Sequence, residues 1–308
     1  MQDIIDAIDR DLIEKELTHD KFVKNTNSGS NEIYIVSYHN APNITREIGR
    51  LREITFRDAG GGTGLACDLD EFDTDIENPF QQLFVWDPRE KEIVGGYRFI
   101  HGKTLKRKAN GHINTPTSEL FQLSERFIND FLPNTIELGR SFVQPLYQPT
   151  VNLRRGMYAL DNIWNGLGAI LNQNPDVKYY FGKITMYPHY NIEARDMILY
   201  FLAKYFGDKN NLVFPIEPLL RTTPESLLTE TFIGGSYEKD YKILVQNVRQ
   251  RFENIPPLVN AYMNLSSTML YFGTSLNPGF GEVEESGILV TLDDVYDIKK
   301  DRHLNIPS

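Results

Sequence analysis

The chain of 308 residues carries a net charge of −10 at pH 7, and 41% of its residues are hydrophobic. That apolar fraction can fill a large core, so a globally disordered chain is excluded. The acidic balance argues against a general nucleic-acid-binding protein, because phosphate contacts need a basic surface. The single cysteine, Cys67, excludes an internal disulfide and a zinc site with several cysteines.

The apolar runs and the first residues of the chain indicate where in the cell the protein is expected. No run reaches the length of about 18 apolar residues that indicates a transmembrane helix. The first residues are acidic, whereas a signal peptide begins with a basic region and an apolar stretch. We therefore expect a cytoplasmic protein.

Helix and strand patterns alternate along the chain, which predicts an α/β (α+β) fold with a mixed sheet. The helix signals cover residues 2–17, 43–58, 153–171, 191–205, 241–252 and 257–265, and the strand signals cover 32–39, 82–86, 92–100, 136–143, 181–186, 268–274 and 287–292. We predict a helical extension at residues 1–30 and a single domain over residues 31–308. The irregular pattern near residues 206–240 indicates an insertion or lid in that domain.

Several catalytic motifs are missing from the sequence. The glycine-rich stretch at residues 60–64 lacks the Gly-Lys-Ser/Thr ending of a phosphate-binding loop. No Gly-x-Ser-x-Gly motif supplies a serine nucleophile, and no His-Glu-x-x-His pattern indicates a metalloprotease. A reaction without a covalent enzyme intermediate fits these absences best.

Four segments instead combine arginine with carboxylates in apolar surroundings. Ionised groups in a core strand cost several kcal/mol unless they are paired. A regular strand would place Glu137 and Arg140 on opposite faces, but a bulge at Gly139 would bring both side chains to one face. We predict that Glu137, Arg140 and Arg98 gather in one pocket. A salt-bridge network that only orders the core is the alternative.

These segments resemble the ornithine-acyl carrier protein N-acyltransferase family, also called hemolysin-like, which belongs to the GNAT superfamily and is related to autoinducer (acyl-homoserine-lactone) synthases. The matching motifs, in chain order, are Leu51-Arg52 with Phe56, Asp70-x-x-Asp73, Gly95-Gly96-Tyr97-Arg98 and Glu137-Leu138-Gly139-Arg140. Residues 256–265 and the strand near residues 287–290 resemble the aminolipid branch rather than the autoinducer synthases. The resemblance covers roughly residues 32–298.

The resemblance implies a GNAT-like acyltransferase fold, with a mixed and strongly bent sheet flanked by helices. It also implies an acyl-phosphopantetheine thioester as donor substrate, with no tightly bound cofactor and no metal. Residues 154–159 only faintly match the GNAT pyrophosphate loop, so acyl carrier protein is the expected donor and partner, ahead of coenzyme A. The acceptor would be an amino acid such as ornithine or glycine. An aminolipid product leaves open a peripheral contact with the inner membrane.

Matching the motifs also yields candidate site residues. Glu137 is the candidate general base, because only the neutral form of an amine attacks a thioester. The matched set comprises Glu137, Arg140 and Arg98 as catalytic residues and Arg52, Phe56, Asp70 and Asp73 as substrate-binding residues. The donor-binding candidates come from their positions instead. Backbone N–H groups near Phe142 and Val143 could stabilise an oxyanion, and Arg154 and Arg155 open the helix after the Glu137 strand, where anions are favoured.

Two other functions remain open at this stage. An autoinducer synthase would use S-adenosylmethionine as acceptor. The extended C-terminal third argues against it, and so does Gly64-Leu65-Ala66, where autoinducer synthases carry a tryptophan. A non-catalytic acyl-binding protein would keep the same fold but release no free thiol from an acyl thioester.

Overall fold

A computed structural model describes residues 1–304 of the chain, apart from the side chain of His303. Residues 305–308, the end of the predicted domain, lie outside the described residues. Contacts divide the described chain into two compact units. Unit 1 comprises residues 1–105, 134–177 and 296–304, and unit 2 comprises residues 106–133 and 178–295.

Ten strands form within the described residues. They are β1 (Phe22–Asn25), β2 (Glu32–Val36), β3 (Gln81–Asp87), β4 (Glu92–His101), β5 (Phe121–Leu123), β6 (Thr135–Val143), β7 (Tyr179–Met186), β8 (Val213–Pro215), β9 (Leu270–Asn277) and β10 (Val283–Thr291).

The α-helices of residues 1–304 are mostly short, and three exceed 14 residues. They are α1 (Arg10–Glu16), α2 (Pro42–Asp58), α3 (Glu71–Thr74), α4 (Leu153–Gly156), α5 (Ala159–Gln173), α6 (Ile192–Phe206), α7 (Glu225–Thr231), α8 (Tyr237–Gln250), α9 (Pro257–Met263) and α10 (Asp297–Lys299). No helix among these residues is long and apolar enough to cross a bilayer.

Within unit 1, five strands pair antiparallel in the order β1-β2-β3-β4-β6. The two central strands, β3 and β4, are long apolar runs and are buried along almost their whole length. Helix α5 packs against both of them, and helix α2 packs against β6. The sheet of unit 1 is therefore covered by helices, in agreement with the α/β (α+β) prediction.

Unit 2 has its own core. Strands β7, β10 and β9 pair antiparallel in that order, and β5 pairs with β8. Phe127, Phe181 and Phe272 form an aromatic group, with ring centroids 5.0 to 6.3 Å apart. Helix α6 packs against α8 and β9. Strand β8 and helix α7 lie in the segment 206–240 that the sequence marks as an insertion.

The N-terminal segment differs from its helical prediction. The helix is confined to Arg10–Glu16, where the Asp9 side chain accepts the N–H of Asp11. Before it, the backbone N–H groups of Gln2 and Ile5 donate to carbonyls of the 60–67 loop, and Ile8 donates to Glu47. These long-range bonds replace the bonds of a helix. Residues 22–25 also differ, because they form β1 rather than part of a helical extension.

The predicted helix over residues 153–171 is interrupted. Helix α4 ends at Gly156, and α5 begins at Ala159. A methyl group on Gly156 would lie 2.5 Å from the Pro149 nitrogen, so α4 lies tightly on the preceding turn. The remaining predicted helices and strands agree with the structure to within a few residues at each end.

Gly96 permits close packing at the centre of the unit 1 sheet. A methyl group there would lie 2.2 Å from the carbonyl oxygen of Leu83 on β3. A methyl group on Gly139, in the neighbouring strand β6, would meet only the Arg98 side chain at 3.7 Å, an ordinary contact. The two glycines therefore have different steric constraints in adjacent strands.

We expect Gly96→Ala to lower the free energy of unfolding by about 1–3 kcal/mol, because the β3 backbone must shift. Gly139→Ala is the matched control and should stay within about 0.5 kcal/mol of the wild type. Urea unfolding followed by circular dichroism measures both variants. Equal stability of the two variants would show that the close approach at Gly96 is not a constraint.

Candidate active site

Helix α2 carries Arg52 into the interior of unit 1. Pro42 occupies the first turn, where its missing N–H breaks no helical bond, and glycines follow the last turn. Ile44, Ile48 and Leu51 lie on the buried side of the helix, and Arg52 and Phe56 are buried one turn apart. A guanidinium in this position needs buried carboxylates as partners.

The motif Asp70-x-x-Asp73 forms a capping box at the start of helix α3. The Asp70 carboxylate accepts the backbone N–H groups of Phe72 and Asp73, at 3.0 and 3.1 Å. In return, the Asp70 N–H donates to Oδ2 of Asp73 at 3.2 Å. This reciprocal capping fixes both carboxylates next to each other.

Arg98, on the central strand β4, donates to both of these aspartates. Its Nη1 lies 2.6 Å from Oδ1 of Asp70 and 3.0 Å from Oδ2 of Asp73. The guanidinium also lies 5.0 Å from the ring centroid of Phe80 and 5.9 Å from that of Phe72. The rings keep water away from the ion pairs, which strengthens them.

Arg52 joins the same group from the helix side. Its Nε donates to Oδ2 of Asp68 at 2.9 Å, and its two Nη atoms lie 3.4 Å from the Asp73 oxygens. Nε2 of Gln82, on β3, donates to Oδ1 of Asp73 at 2.8 Å. Asp73 is therefore bonded from α2, from β3 and from β4.

Strand β6 contains the predicted bulge. Arg98 lies opposite Gly139 and Gly96 lies opposite Phe142, so β6 has one residue more than β4 between these pairs. The left-handed backbone conformation falls on Arg140, with φ of 52°, rather than on Gly139. As the sequence predicts, the bulge turns Arg140 to the face that carries Arg98.

Arg140 completes what we call the Arg–Asp cluster. Its Nε lies 3.0 and 3.2 Å from the two oxygens of Asp68, and its Nη2 lies 4.0 Å from Oδ2 of Asp70. The cluster consists of three guanidiniums and three carboxylates, namely Arg52, Arg98, Arg140, Asp68, Asp70 and Asp73.

The charges of the cluster stabilise one another. Burial alone would raise the pKa of Asp68, but Arg140 and Arg52 outweigh burial and lower it. The pKa of Asp73 is likewise lowered, because Arg52 and Arg98 outweigh the effect of burial. For Arg98, burial would lower the pKa, but Asp73 and Asp70 raise it. Asp68, Asp73 and Arg98 therefore stay ionised near neutral pH.

The remaining catalytic and substrate-binding candidates, Glu137 and Phe56, lie on the same elements as two arginines of the cluster. Glu137 is buried on β6, opposite Ile100 of β4. Since side chains two residues apart share a strand face, Glu137 lies on the same face as Arg98 and Gly139. Phe56 is buried on α2, one turn beyond Arg52.

The donor-binding candidates fall into two groups. Phe142 and Val143 continue β6 beyond the bulge and pair with Gly96 and Gly95. Arg154 and Arg155 belong to helix α4, whose first turn is capped by the Asn152 side chain. They line a cavity of about 430 Å³ to which no residue of the Arg–Asp cluster contributes, as far as the structure describes the chain.

The cavity near Arg155 contains carboxylates as well as arginines. Arg155 lies 2.7 Å from Glu90 and 3.7 Å from Glu92, and its guanidinium lies 5.6 Å from the ring centroid of Tyr147. The Tyr147 hydroxyl donates to Asp87 at 3.1 Å. Much of the positive charge of this cavity is therefore neutralised by the protein itself.

Sequence reasoning missed two members of this site, Asp68 and Gln82. Asp68 precedes the Asp70 motif by two residues and has no recognisable spacing of its own. Charge balance does not reveal it either, because Glu137, Asp70 and Asp73 already supply three carboxylates for the three arginines in apolar segments.

The neighbouring Cys67 is not set up as a nucleophile. Burial raises the pKa of its thiol to about 11. A thiol with that pKa holds almost no thiolate near neutral pH, and the thiolate is the reactive form. Direct transfer, without an acyl-cysteine intermediate, agrees with this environment.

Comparisons with known proteins agree with the predicted fold. The GNAT acetyltransferase domain model matches residues 51–155, which include every residue of the Arg–Asp cluster. A glycine N(alpha)-acyltransferase of Bacteroides thetaiotaomicron is 51% identical over 99% of this chain and 90% of its own length. A protein of the same name from Phocaeicola vulgatus is 50% identical over 99% of this chain and 93% of its own.

A solved structure shows a more distant likeness. It is a CoA-dependent acyl-homoserine lactone synthase, BjaI, with SAM and isopentyl-CoA. The alignment covers 91% of this chain and 92% of that chain, with 11% identity and a TM-score of 0.39.

The fold and the matched domain define a GNAT-related acyltransferase with the predicted GNAT-like fold. More narrowly, the chain belongs to the N-acyltransferase family of the two glycine N(alpha)-acyltransferases, which it matches over nearly its whole length. It is therefore an enzyme that transfers an acyl group to nitrogen.

The left-handed conformation of Arg140 leads to a stability prediction. Alanine at this position should be about 1–2 kcal/mol less stable than glycine, because only glycine adopts a positive φ without strain. Urea unfolding of Arg140→Ala and Arg140→Gly measures the difference. The same pair of substitutions at Asn211, an exposed residue with φ of 51°, gives the backbone effect outside the site. If Arg140→Ala were as stable as Arg140→Gly, Arg140 would not be strained.

The lowered pKa of Asp73 leads to a pH prediction. A carboxylate with a lowered folded-state pKa stabilises the protein above its unfolded value of about 3.9, and this stabilisation is lost as pH falls below about 4. Asp73→Asn should therefore be less stable than the wild type at pH 7, and the difference should shrink below pH 4. Urea unfolding at several pH values measures it, with the exposed Asp6→Asn as control. A difference independent of pH would contradict the ion pairing of Asp73.

Proposed function

We propose that this N-acyltransferase moves a fatty acyl group, such as a 3-hydroxyacyl group, from acyl carrier protein to the α-amine of glycine, for aminolipid synthesis. The names of the two relatives at 51% and 50% identity support glycine as the acceptor, which leaves ornithine as the alternative. The thioester donor follows from the resemblance to acyl carrier protein-dependent enzymes.

One observation supports this proposal most strongly. Of the six charged groups in the Arg–Asp cluster, Arg140 and Asp70 are the two most exposed, and they lie 4.0 Å apart. A cation and an anion at this separation match the carboxylate and the ammonium of a zwitterionic α-amino acid. Arg52 and Asp73 are fully buried, so we propose that they hold this pair in place rather than touch the acceptor.

In the proposed reaction, Glu137 takes a proton from the ammonium of the acceptor, directly or through a water molecule. The neutral nitrogen attacks the thioester carbonyl, the C–N bond forms, and the C–S bond breaks. The pantetheine sulfur leaves and takes up a proton, so the products are an amide and a free thiol. Backbone N–H groups of β6 near Phe142 and Val143 would stabilise the oxyanion.

The charges around Arg154 and Arg155 favour a carrier protein over coenzyme A. Coenzyme A brings several phosphate groups, whereas the phosphopantetheine arm of a carrier protein has one phosphodiester. Arg155 is already bonded to Glu90, and Asp87 and Glu90 line the same cavity. We propose that Arg154, which is exposed, meets the single phosphate or an acidic side chain of the carrier protein.

We expect the purified enzyme to form N-acylglycine from a 3-hydroxyacyl carrier protein, with slower product formation from the matching acyl-coenzyme A. Glycine, ornithine and S-adenosylmethionine are offered separately, and mass spectrometry identifies the product while a thiol reagent follows turnover. Product with S-adenosylmethionine alone would indicate an autoinducer synthase. Thioester binding with no thiol release and no amide would indicate a non-catalytic acyl-binding protein.

Glu137→Gln tests the base in the same assay. Loss of a general base should lower kcat by about 10²–10⁴-fold. Circular dichroism checks the fold, and Glu32→Gln on strand β2, where the carboxylate accepts the Tyr34 hydroxyl, is the control for losing a strand glutamate. Turnover of Glu137→Gln close to wild type would remove Glu137 from this role.

A further inference from the structure

Asp68 is the buried carboxylate that joins two arginines of the cluster. It is fully buried, and it accepts Nε of Arg52 at 2.9 Å and Nε of Arg140 at 3.0 Å. The first arginine lies on α2, and the second lies at the bulge of β6. The Asp68 carboxylate therefore connects helix α2 to the β6 bulge through these two hydrogen bonds.

Because of the bulge conformation, the direction of the Arg140 side chain depends on its hydrogen bond to Asp68. With φ of 52°, Arg140 adopts a conformation that non-glycine residues rarely occupy, and that surrounding interactions must maintain. Its Nε is bonded to Asp68, while its Nη2 points towards Asp70 at 4.0 Å. The guanidinium is thus anchored by its inner nitrogen and presents its outer nitrogens next to Asp70.

The exposure of the three guanidiniums shows which of them a solute can reach. The side chains of Arg52 and Arg98 are 0% and 3% exposed, whereas Arg140 is 16% exposed. Among the carboxylates, Asp68 and Asp73 are fully buried, and Asp70 is 29% exposed. Asp68 is thus less accessible to a solute than Arg140 and Asp70, and both hydrogen-bonded partners of its carboxylate are arginines of the cluster.

We propose that Asp68 is a positioning residue for the acceptor. By accepting Nε of Arg140, it fixes the guanidinium so that the outer nitrogens bind the carboxylate of the amino acid, beside Asp70, which binds the ammonium. This inference rests on the proposed function, since it needs an amino-acid acceptor. Asp68 acts only through Arg140.

Asp68→Asn is nearly isosteric and weakens the anchor, because it removes the negative charge and one of the two oxygens that accept Nε of Arg140. Loss of one charge-assisted hydrogen bond changes a binding constant by roughly tenfold or more. We expect KM for glycine to rise about tenfold or more, while KM for the acyl carrier protein stays within about twofold. Glu47→Gln, which removes a mostly buried carboxylate bonded to Arg50 on the same helix α2, controls for general loss of stability and should leave both constants unchanged.

The double variant Asp68→Asn/Arg140→Gln separates positioning from a structural role. It removes one negative and one positive charge, so the cluster remains neutral and should fold even if Asp68→Asn alone does not. If Asp68 acts through Arg140, the double variant has the same KM for glycine as Arg140→Gln. Full additivity of the two effects would overturn the proposal, because Asp68 would then act independently.

Amide formation by the wild type distinguishes a failure of the proposed function from a failure of the positioning role of Asp68. Amide formation by the wild type with glycine supports the proposed function whatever Asp68 does. In an active wild type, an unchanged KM for glycine in folded Asp68→Asn overturns only the positioning role. Absence of wild-type turnover with every amino acid overturns both.

Discussion

The mutual pairing of three guanidiniums and three carboxylates in the interior of unit 1 is the interaction on which the site depends. Any one of these ions left alone in a buried position would destabilise the fold by several kcal/mol. As a set they are neutral, and each lies within 4.0 Å of an opposite charge. The cluster joins α2, the 68–73 segment, β4 and β6, so it also fixes the relative positions of these elements.

Neutrality limits what the cluster can do chemically. Arg52 and Arg98 are 0% and 3% exposed and each is bonded to two aspartates, so we propose that neither contacts a substrate carboxylate. Under the proposed function, a charged acceptor would be recognised at the edge of the cluster, where Arg140 and Asp70 reach solvent. The buried ion pairs can orient the exposed ones. The same cluster can therefore order the core and, under the proposed function, also form a binding site.

Much of the fold could be predicted from the sequence, because helical and strand periodicities are strong in segments such as residues 43–58 and 92–100. The convergence of Arg98 and Arg140 could also be predicted, since charges in apolar strands must find partners. Asp68 could not, because nothing local distinguishes a carboxylate that is buried only by tertiary contacts. For the same reason the helical prediction is wrong for the first nine residues, because their hydrogen-bond partners lie in the 60–67 loop and on α2.

A crystal structure of the enzyme with an N-acylglycine product tests most directly whether the edge of the Arg–Asp cluster binds the acceptor. The expected result places the glycine carboxylate within about 3.2 Å of the outer nitrogens of Arg140, with Nε of Arg140 still bonded to Asp68. The amide nitrogen should lie beside Asp70. A product whose carboxylate contacts neither Arg140 nor its neighbours would contradict this assignment and reduce the cluster to a purely structural role.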